Sequence, residues 1–243
     1  MSAVLIIGAS SAIGQSLADY YLQHERVVIW LSRSPPDIEH DRLFVILAPD
    51  VTDGGDWVLH NGFFDKVIAQ LQQQQVRIIF NCIGWLHHAH LKPEKSLGQS
   101  SVALLRQTLL VNLEIPIFYL RGLWPYITRT ADLKYLQLSA KVGSINDNQL
   151  GGWYSYRSSK AALNQWIKTA SIELQRSNKT AVIVTLHPGT TDSPLSKPFQ
   201  RNLPLGQLQK PHQTAGRIAA VAKSIKAEDS GMLLNWDGAV LPF

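Results

Sequence analysis

The sequence predicts an α/β fold, a doubly wound parallel sheet of seven strands with helices on both faces. Three observations lead there. Short apolar runs recur along the chain, and the first, Val4-Leu5-Ile6-Ile7, offers water nothing polar, as a strand covered on both faces requires. Stretches with apolar residues at three- and four-residue steps stand between the runs. Short polar motifs fall where the runs end, which is where open α/β sheets take ligands.

Composition sets the limits. A chain of 243 residues suits one large domain, and no linker or repeat divides it, so 1–243 is read as a single unit. Hydrophobic content of 45% and charged content of 17% supply a full core. The net charge of +5 is scattered, with no run of Lys or Arg, which favours a small anionic ligand over nucleic acid. Cys82 is the single cysteine, so an internal disulfide and a multi-cysteine metal site are excluded. No unbroken apolar run approaches ~20 residues and the N-terminus lacks a basic leader, so no membrane span is expected and the cytoplasm is the expected compartment.

Val4–Ile7 leads at once into Gly8-Ala9-Ser10-Ser11-Ala12-Ile13-Gly14, and a helical pattern opens behind it with Ile13, Leu17, Tyr20 and Tyr21 on one side. Strand, glycine turn, helix is the setting of a dinucleotide fingerprint. Gly8 permits the tight turn and Gly14 close packing of helix on strand. The first helical amides, with the Ser10 and Ser11 hydroxyls, can hold a pyrophosphate. Two glycines alone would also suit an ordinary strand-to-helix turn.

Val27–Leu31 is the second strand. Past its end stands Arg33, where NAD-preferring sites carry an acid for the ribose hydroxyl. A guanidinium suits a 2′-phosphate and points to NADP(H); the plainer reading is a surface arginine. Leu43–Leu47 is the third strand, ending at Pro49-Asp50-Val51-Thr52-Asp53, after which Gly54-Gly55 break the pattern. A helix is predicted over Asn61–Leu71. Val76–Phe80 is the fourth strand, closing on Asn81-Cys82-Ile83-Gly84. His87, His88 and His90 follow without a carboxylate or thiolate at ligand spacing, so a solvated or substrate-side loop is expected rather than a metal.

The pattern from 101 to 128 is helical, with Pro116 predicted to kink the helix or mark a break. Asn112 lies mid-helix, a buried amide that needs a partner. Leu133–Leu138 is the fifth strand and leads to Ser139-Ala140-Lys141-Val142-Gly143-Ser144. A loop over 145–152 reaches a helix that carries Tyr156 and Lys160, four apart and so on one face. A phenol is a poor proton donor near neutrality, and a nearby ammonium lowers its pKa. Such a pair can protonate a carbonyl oxygen or deprotonate an alcohol, though the same spacing also suits a solvated helix face. Ala181–Leu186 is the sixth strand, ending at His187-Pro188-Gly189-Thr190-Thr191-Asp192. The stretch 190–209, with Pro194, Pro198 and Pro204, is read as a mobile lid over substrate. Thr214–Ile225 is helical and Met232–Trp236 is the seventh strand.

Taken in order, these motifs resemble the short-chain dehydrogenase/reductase family over essentially the whole chain. Gly8–Gly14 resembles its glycine turn, Asp50-Val51 its adenine-contacting pair, Asn81–Gly84 its Asn-Asn-Ala-Gly motif, Tyr156 and Lys160 its Tyr-X-X-X-Lys pair, and Pro188-Gly189 the turn that holds the nicotinamide. Gly143–Ile145, Asp147-Asn148, Gly152–Arg157 and Leu234–Gly238 look more like the C-factor-like branch, which includes cell–cell signalling proteins and is akin to carbonyl reductases.

The resemblance implies a Rossmann-type fold and hydride exchange between NADP(H) and a carbonyl or alcohol. It implies cofactor contacts from Gly8, Ser10, Ser11, Ile13, Gly14, Arg33, Asp50, Val51, Asn81, Ile83, Gly84, Tyr156, Lys160, Pro188, Gly189 and Thr191. Tyr156 would donate the proton. Lys160 would lower its pKa, Asn112 would hold a relay water, and Ser139 would hold the carbonyl oxygen. Pairing through the helices 101–128 and 154–176 would give a homodimer or homotetramer. The other reading is a C-factor-like signalling or cofactor-binding protein with little turnover. Three departures stand out. Ala12 replaces the middle glycine, the strand-four motif keeps only Asn81 and Gly84, and the residue three before Gly143 is Ala140. A one-residue bulge would bring Ser139 to the site; Ser144 is the second choice.

Overall fold

The first apolar run, β1 (Val4–Ile7), has all four residues buried. The computed structural model describes residues 3–51, 62–88 and 91–243, apart from the side chain of Asn202. The Gly54-Gly55 break, His90 and the expected helix start at Asn61 lie outside the described residues. After β1 come α1 (Ala12–Gln23), β2 (Val28–Ser32), β3 (Leu43–Leu47), α2 (Phe63–Gln73) and β4 (Ile78–Asn81). Then follow α3 (Val102–Leu109), α4 (Ile115–Ile127), β5 (Lys134–Leu138), α5 (Tyr154–Ser177) and β6 (Val182–His187). The chain ends with β7 (Thr190–Thr191), β8 (Leu208–Gln209), α6 (Pro211–Ser224), β9 (Leu233–Asn235) and β10 (Val240–Leu241).

The seven expected strands form one parallel sheet, ordered β9-β6-β5-β4-β1-β2-β3. An eighth strand, which the sequence reading lacked, adds to its edge: β10 runs antiparallel to β9. The turn between them has Gly238 at φ +87°, a conformation that glycine enters without cost, and the Asp237-Gly238 pair was its signal. Alternate residues of each strand feed two cores. Val4, Ile6, Val184 and Leu186 meet α1 and α6 on one face, whereas Leu5, Ile7, Ile79 and Tyr135 meet α2, α4 and α5 on the other. At ~1.5–3 kcal/mol per buried large apolar side chain, these layers hold the sheet ends still for whatever binds there.

The helical stretch 102–127 is broken where Pro116 predicted. Residues Leu110–Glu114 take one π-helical turn, and Pro116 sits in the first turn of α4. Pro116 has no N–H for the carbonyl of Asn112, four residues back, and the wider turn absorbs the mismatch. By length and composition Val102–Ile127 could cross a bilayer. Here Phe118, Leu120, Leu123 and Ile127 belong to the core beneath the sheet.

The stretch 190–209 is more ordered than a bare loop. β7 and β8 pair in parallel across its base, Asp192 N–H donates to Gln209 O at 2.8 Å, and 197–202 form a 3-10 helix.

Candidate active site

Chain order reverses between β1 and β4, and a groove of about 530 Å³ opens at their carboxyl ends. Of the expected cofactor residues, Gly8, Ser10, Ser11, Arg33, Asp50, Val51, Ile83 and Gly84 line it. Gly8 holds φ +71°, and a Cβ there would stand 3.0 Å from Ile83 Cγ1. A Cβ on Gly14 would stand 2.7 Å from Gly8 O and 2.8 Å from Ala9 Cα, so only glycine lets α1 approach β1 this closely. Ser11 caps α1 by accepting from Gly14 N–H at 3.1 Å, and Ser10 and Ser32 share a hydroxyl contact of 2.7 Å.

Other expected contacts act at one remove. Asn81 is fully buried; it donates to Tyr135 OH at 3.2 Å and accepts from Ile83 N–H at 3.2 Å, shaping the turn that carries Ile83 and Gly84. Ile13 packs on the core. The Thr191 hydroxyl lies 2.9 Å from that of Thr214 and is turned toward α6. Gly189, at φ +78°, is backed by Trp236, and Arg217 stacks on the Trp236 ring at 4.2 Å. Pro188 precedes it at the end of β6.

The far wall of the groove was missed. Gln107, Val111, Ile115 and Tyr119 come from the helical stretch of α3 and α4. Their signal was present, since steps of four place them on one helical face.

Tyr156 and Lys160 sit on the inner side of α5, 9% and 2% exposed. Lys160 Nζ donates to Leu138 O at 3.2 Å and would lie 3.7 Å from a Cβ on Gly84, so it joins the end of β5 to the groove floor. Gly143 lets α5 in: a Cβ there would meet Lys160 Cβ at 2.8 Å. Asn112 is wholly buried, as expected of a satisfied core amide. Its Oδ1 accepts from Trp85 N–H at 2.7 Å, while its Nδ2 donates to Trp85 O at 2.8 Å and to Ser159 Oγ at 3.1 Å.

Two expectations need correction. The Tyr156 phenol is raised well above its usual range, because burial disfavours the phenolate. The nearby ammonium does not offset this: its nitrogen is 5.9 Å from the ring centroid, and burial lowers Lys160 itself to about 8. The second correction concerns Ser139. No bulge interrupts the ladder, since Ser139 N–H continues it to Leu186 O at 2.8 Å. Strand alternation then turns Ser139 toward α5, where its hydroxyl donates to Asn164 Oδ1 at 2.7 Å. Ala140 is the residue that packs with Tyr156. The Ser144 hydroxyl accepts from Asp147 N–H at 3.1 Å and closes a turn.

Sequence reasoning also missed what aims α5. Gly151, Gly152 and Trp153 all have positive φ, and Trp153 caps the helix without a side-chain bond. The cap comes from Glu94, 2% exposed, whose carboxylate accepts from Ser155 N–H at 3.3 Å and from the Ser155 hydroxyl. Its main-chain oxygen accepts from Trp153 N–H at 2.5 Å. Arg157 braces the same turn by donating to Gly152 O at 3.0 Å, Gly151 O at 3.2 Å and Val142 O at 3.3 Å. His87 Nε2 donates to Pro194 O at 3.2 Å and Leu195 O at 3.1 Å, which ties the 190–209 stretch down. Among the described residues no group of three His, Cys, Asp or Glu side chains could hold a metal.

Known proteins resemble this chain in sequence and in fold. The chain is 28% identical over 138 residues to an uncharacterized oxidoreductase of Schizosaccharomyces pombe, covering 53% of this chain and 54% of that protein. It is 27% identical over 148 residues to the C-signal of Myxococcus xanthus, covering 61% of this chain and 84% of that one. Its fold superposes on an NADPH-bound carbonyl reductase from chicken fatty liver with a TM-score of 0.80, at 21% identity over 100% of this chain and 99% of the other. The family model described as short chain dehydrogenase matches residues 2–204. On that match, the chain belongs to the short-chain dehydrogenase family.

Proposed function

We propose that the protein reduces a carbonyl compound with NADP(H). One observation carries this reading: Lys160, four residues from Tyr156, is buried between Leu138 O and the floor of the glycine groove. The groove fits a dinucleotide, because a Cβ on Gly8 would crowd its lining, Gly14 brings the start of α1 close to β1, and the Ser11-capped end of α1 is suited to a pyrophosphate. Arg33, Ser10 and Ser11 at its edge suit a 2′-phosphate, and the carbonyl reductase of similar fold was solved with NADPH. When bound, the nicotinamide supplies the hydride.

The chain's own residues do the rest. Tyr156 stays protonated to high pH and gives its hydroxyl proton to the oxygen as negative charge develops there. Burial disfavours the phenolate, so the phenol enters the reduction step with its proton in place. Lys160 keeps positive charge beside the phenol and orients the ribose. The Asn112 side chain is spent on Trp85 and Ser159, so its place in a water relay falls to its carbonyl, which Pro116 leaves without an α-helical donor. Tyr156→Phe is expected to lose about 10²–10⁴ in NADPH-dependent kcat/KM while NADPH still binds. Retained turnover on an accepted carbonyl would end the assignment.

A second reading is a signalling or cofactor-binding role, supported by the likeness to the C-signal and by Ala140 at the position where a hydroxyl would hold the oxygen. Tight NADPH binding with no turnover across aldehydes and ketones would favour it. Pairing of protomers through the helices 101–128 and 154–176 is part of the proposal; Trp166 and Ile172 on α5 are 50% and 52% exposed, and sedimentation as a monomer would refute it. A cytoplasmic location is also part of the proposal: the single cysteine, Cys82, can form no internal disulfide, which suits a reducing compartment.

A further inference from the structure

We propose that the carbonyl compound is flat and apolar, an aryl aldehyde or ketone, seated on a wall of Leu86, Ala140, Val142, Trp153 and Phe199 beside Tyr156. This rests on the reductase reading of Tyr156. The wall is one contiguous cluster around the Tyr156 ring. Trp153 packs on Tyr156 at 6.0 Å between centroids and on Phe199 at 4.9 Å, and His87 meets the far side of Phe199 at 5.7 Å.

Three neighbouring polar side chains are committed elsewhere. Ser139 goes to Asn164, Ser144 to the Asp147 amide, and His87 to two main-chain carbonyls. Ala140 puts a methyl where a hydroxyl would otherwise bind. A substrate with polar substituents would leave them unpaired against this surface, and an aromatic ring would not.

The backbone points the same way. Trp153 holds φ +53°, a left-handed conformation that is an outlier for a bulky side chain and that the two glycines before it share. Glycine would sit there without strain. Strain at a site persists where the surroundings over-determine it and function uses it. Glu94 and Arg157 supply the over-determination, and the result is an indole aimed at the proton donor.

The test compares kcat/KM with NADPH for acetophenone and 2-acetylnaphthalene against dihydroxyacetone and glyceraldehyde. The aryl pair is expected to lead by about 10- to 100-fold, the discrimination that an apolar pocket yields. Phe199→Ala, a change on the 3-10 segment away from the sheet, is expected to cut that ratio to within about twofold, chiefly through the aryl KM. Trp153→Leu should do the same if it folds. Calorimetry of acetophenone with the NADPH-loaded protein reads the wall without turnover. Binding that Phe199→Ala abolishes supports the wall even where nothing is reduced, an outcome that sinks the reductase reading alone. Equal or better turnover of the small polar carbonyls overturns the wall and leaves the reductase reading standing. No aryl binding and no aryl preference overturn it as well.

Discussion

The turn into α1 and the turn into α5 both use left-handed backbone to aim a helix at the same sheet edge, and they are built in opposite ways. The first is local. Gly8 makes the turn, Gly14 lets the helix close on the strand, and Ser11, the residue before the helix, caps it. The second is assembled from a distance. Trp153 takes the left-handed position without glycine's freedom, and the cap is Glu94, 61 residues upstream of Ser155. The difference parallels the ligands proposed for the two ends. A dinucleotide is common to a whole family, and the turn that takes it needs only glycines and hydroxyls. A substrate is particular, and the turn that faces it places a large side chain against the proton donor.

The sharpest way to break the comparison is at the local turn. Gly14→Ala would put a methyl 2.7–2.8 Å from three main-chain atoms of Gly8 and Ala9, none of which can rotate away. Expected are a loss of stability of about 1–3 kcal/mol and of most NADPH affinity, read by urea unfolding and by fluorescence titration. Undisturbed NADPH binding would mean that the helix does not need this approach.

The distant turn should yield next. Glu94→Ala leaves Ser155 N–H and its hydroxyl buried without an acceptor, at about 1–3 kcal/mol, somewhat more than the ~1 kcal/mol of an ordinary helix cap. Because Ser155 adjoins Tyr156, kcat should fall more than KM rises. Glu94→Gln keeps an acceptor and should recover most of both. If Glu94→Ala unfolds no earlier than the parent, the carboxylate is not the cap.

The two turns also differ in what each made legible. Every strand of the large sheet but β10 could be read, because apolar runs bounded by polar motifs are local signals. The Gly8 turn was equally plain. Glu94 was not, since nothing in Lys92-Pro93-Glu94-Lys95 says that its side chain is buried under a helix 60 residues on. Ser139 and Ala140 were undecidable for another reason. One residue of register exchanges the faces of a strand, and the choice rested on whether the β5–β6 ladder continued. The Tyr156 pKa was misjudged because spacing tells of a neighbouring charge and says nothing of burial, which outweighs it here.

Lys160 offers a subtler probe of the α5 end, in its pH dependence. Burial lowers it from 10.5 to about 8, so the ammonium is lost as pH rises through 8 while the raised Tyr156 phenol keeps its proton. kcat/KM should therefore fall above about pH 8. Stability should move the other way. Between about pH 8 and 10.5 the unfolded chain still binds this proton and the folded one has shed it, so this group's contribution to stability rises with pH. The difference in urea midpoint between the parent and Lys160→Met isolates it from other titrations. A flat difference across that window would show that Lys160 is not desolvated.

The smallest effect on catalysis is expected at Ser139, and it is informative for that reason. Ser139→Ala removes the donor to Asn164 Oδ1, an amide whose Nδ2 has no partner among the described residues. Stability should drop by about 1–2 kcal/mol. kcat/KM should change by less than about twofold, because the hydroxyl is engaged by Asn164 and it is Ala140 that packs with Tyr156. A residue that held the developing oxyanion would cost about 10²–10³ instead. A loss of that size would show that the Ser139 hydroxyl leaves Asn164 and turns to the substrate during turnover, and would place the polar end of the site on β5 rather than on Tyr156 alone.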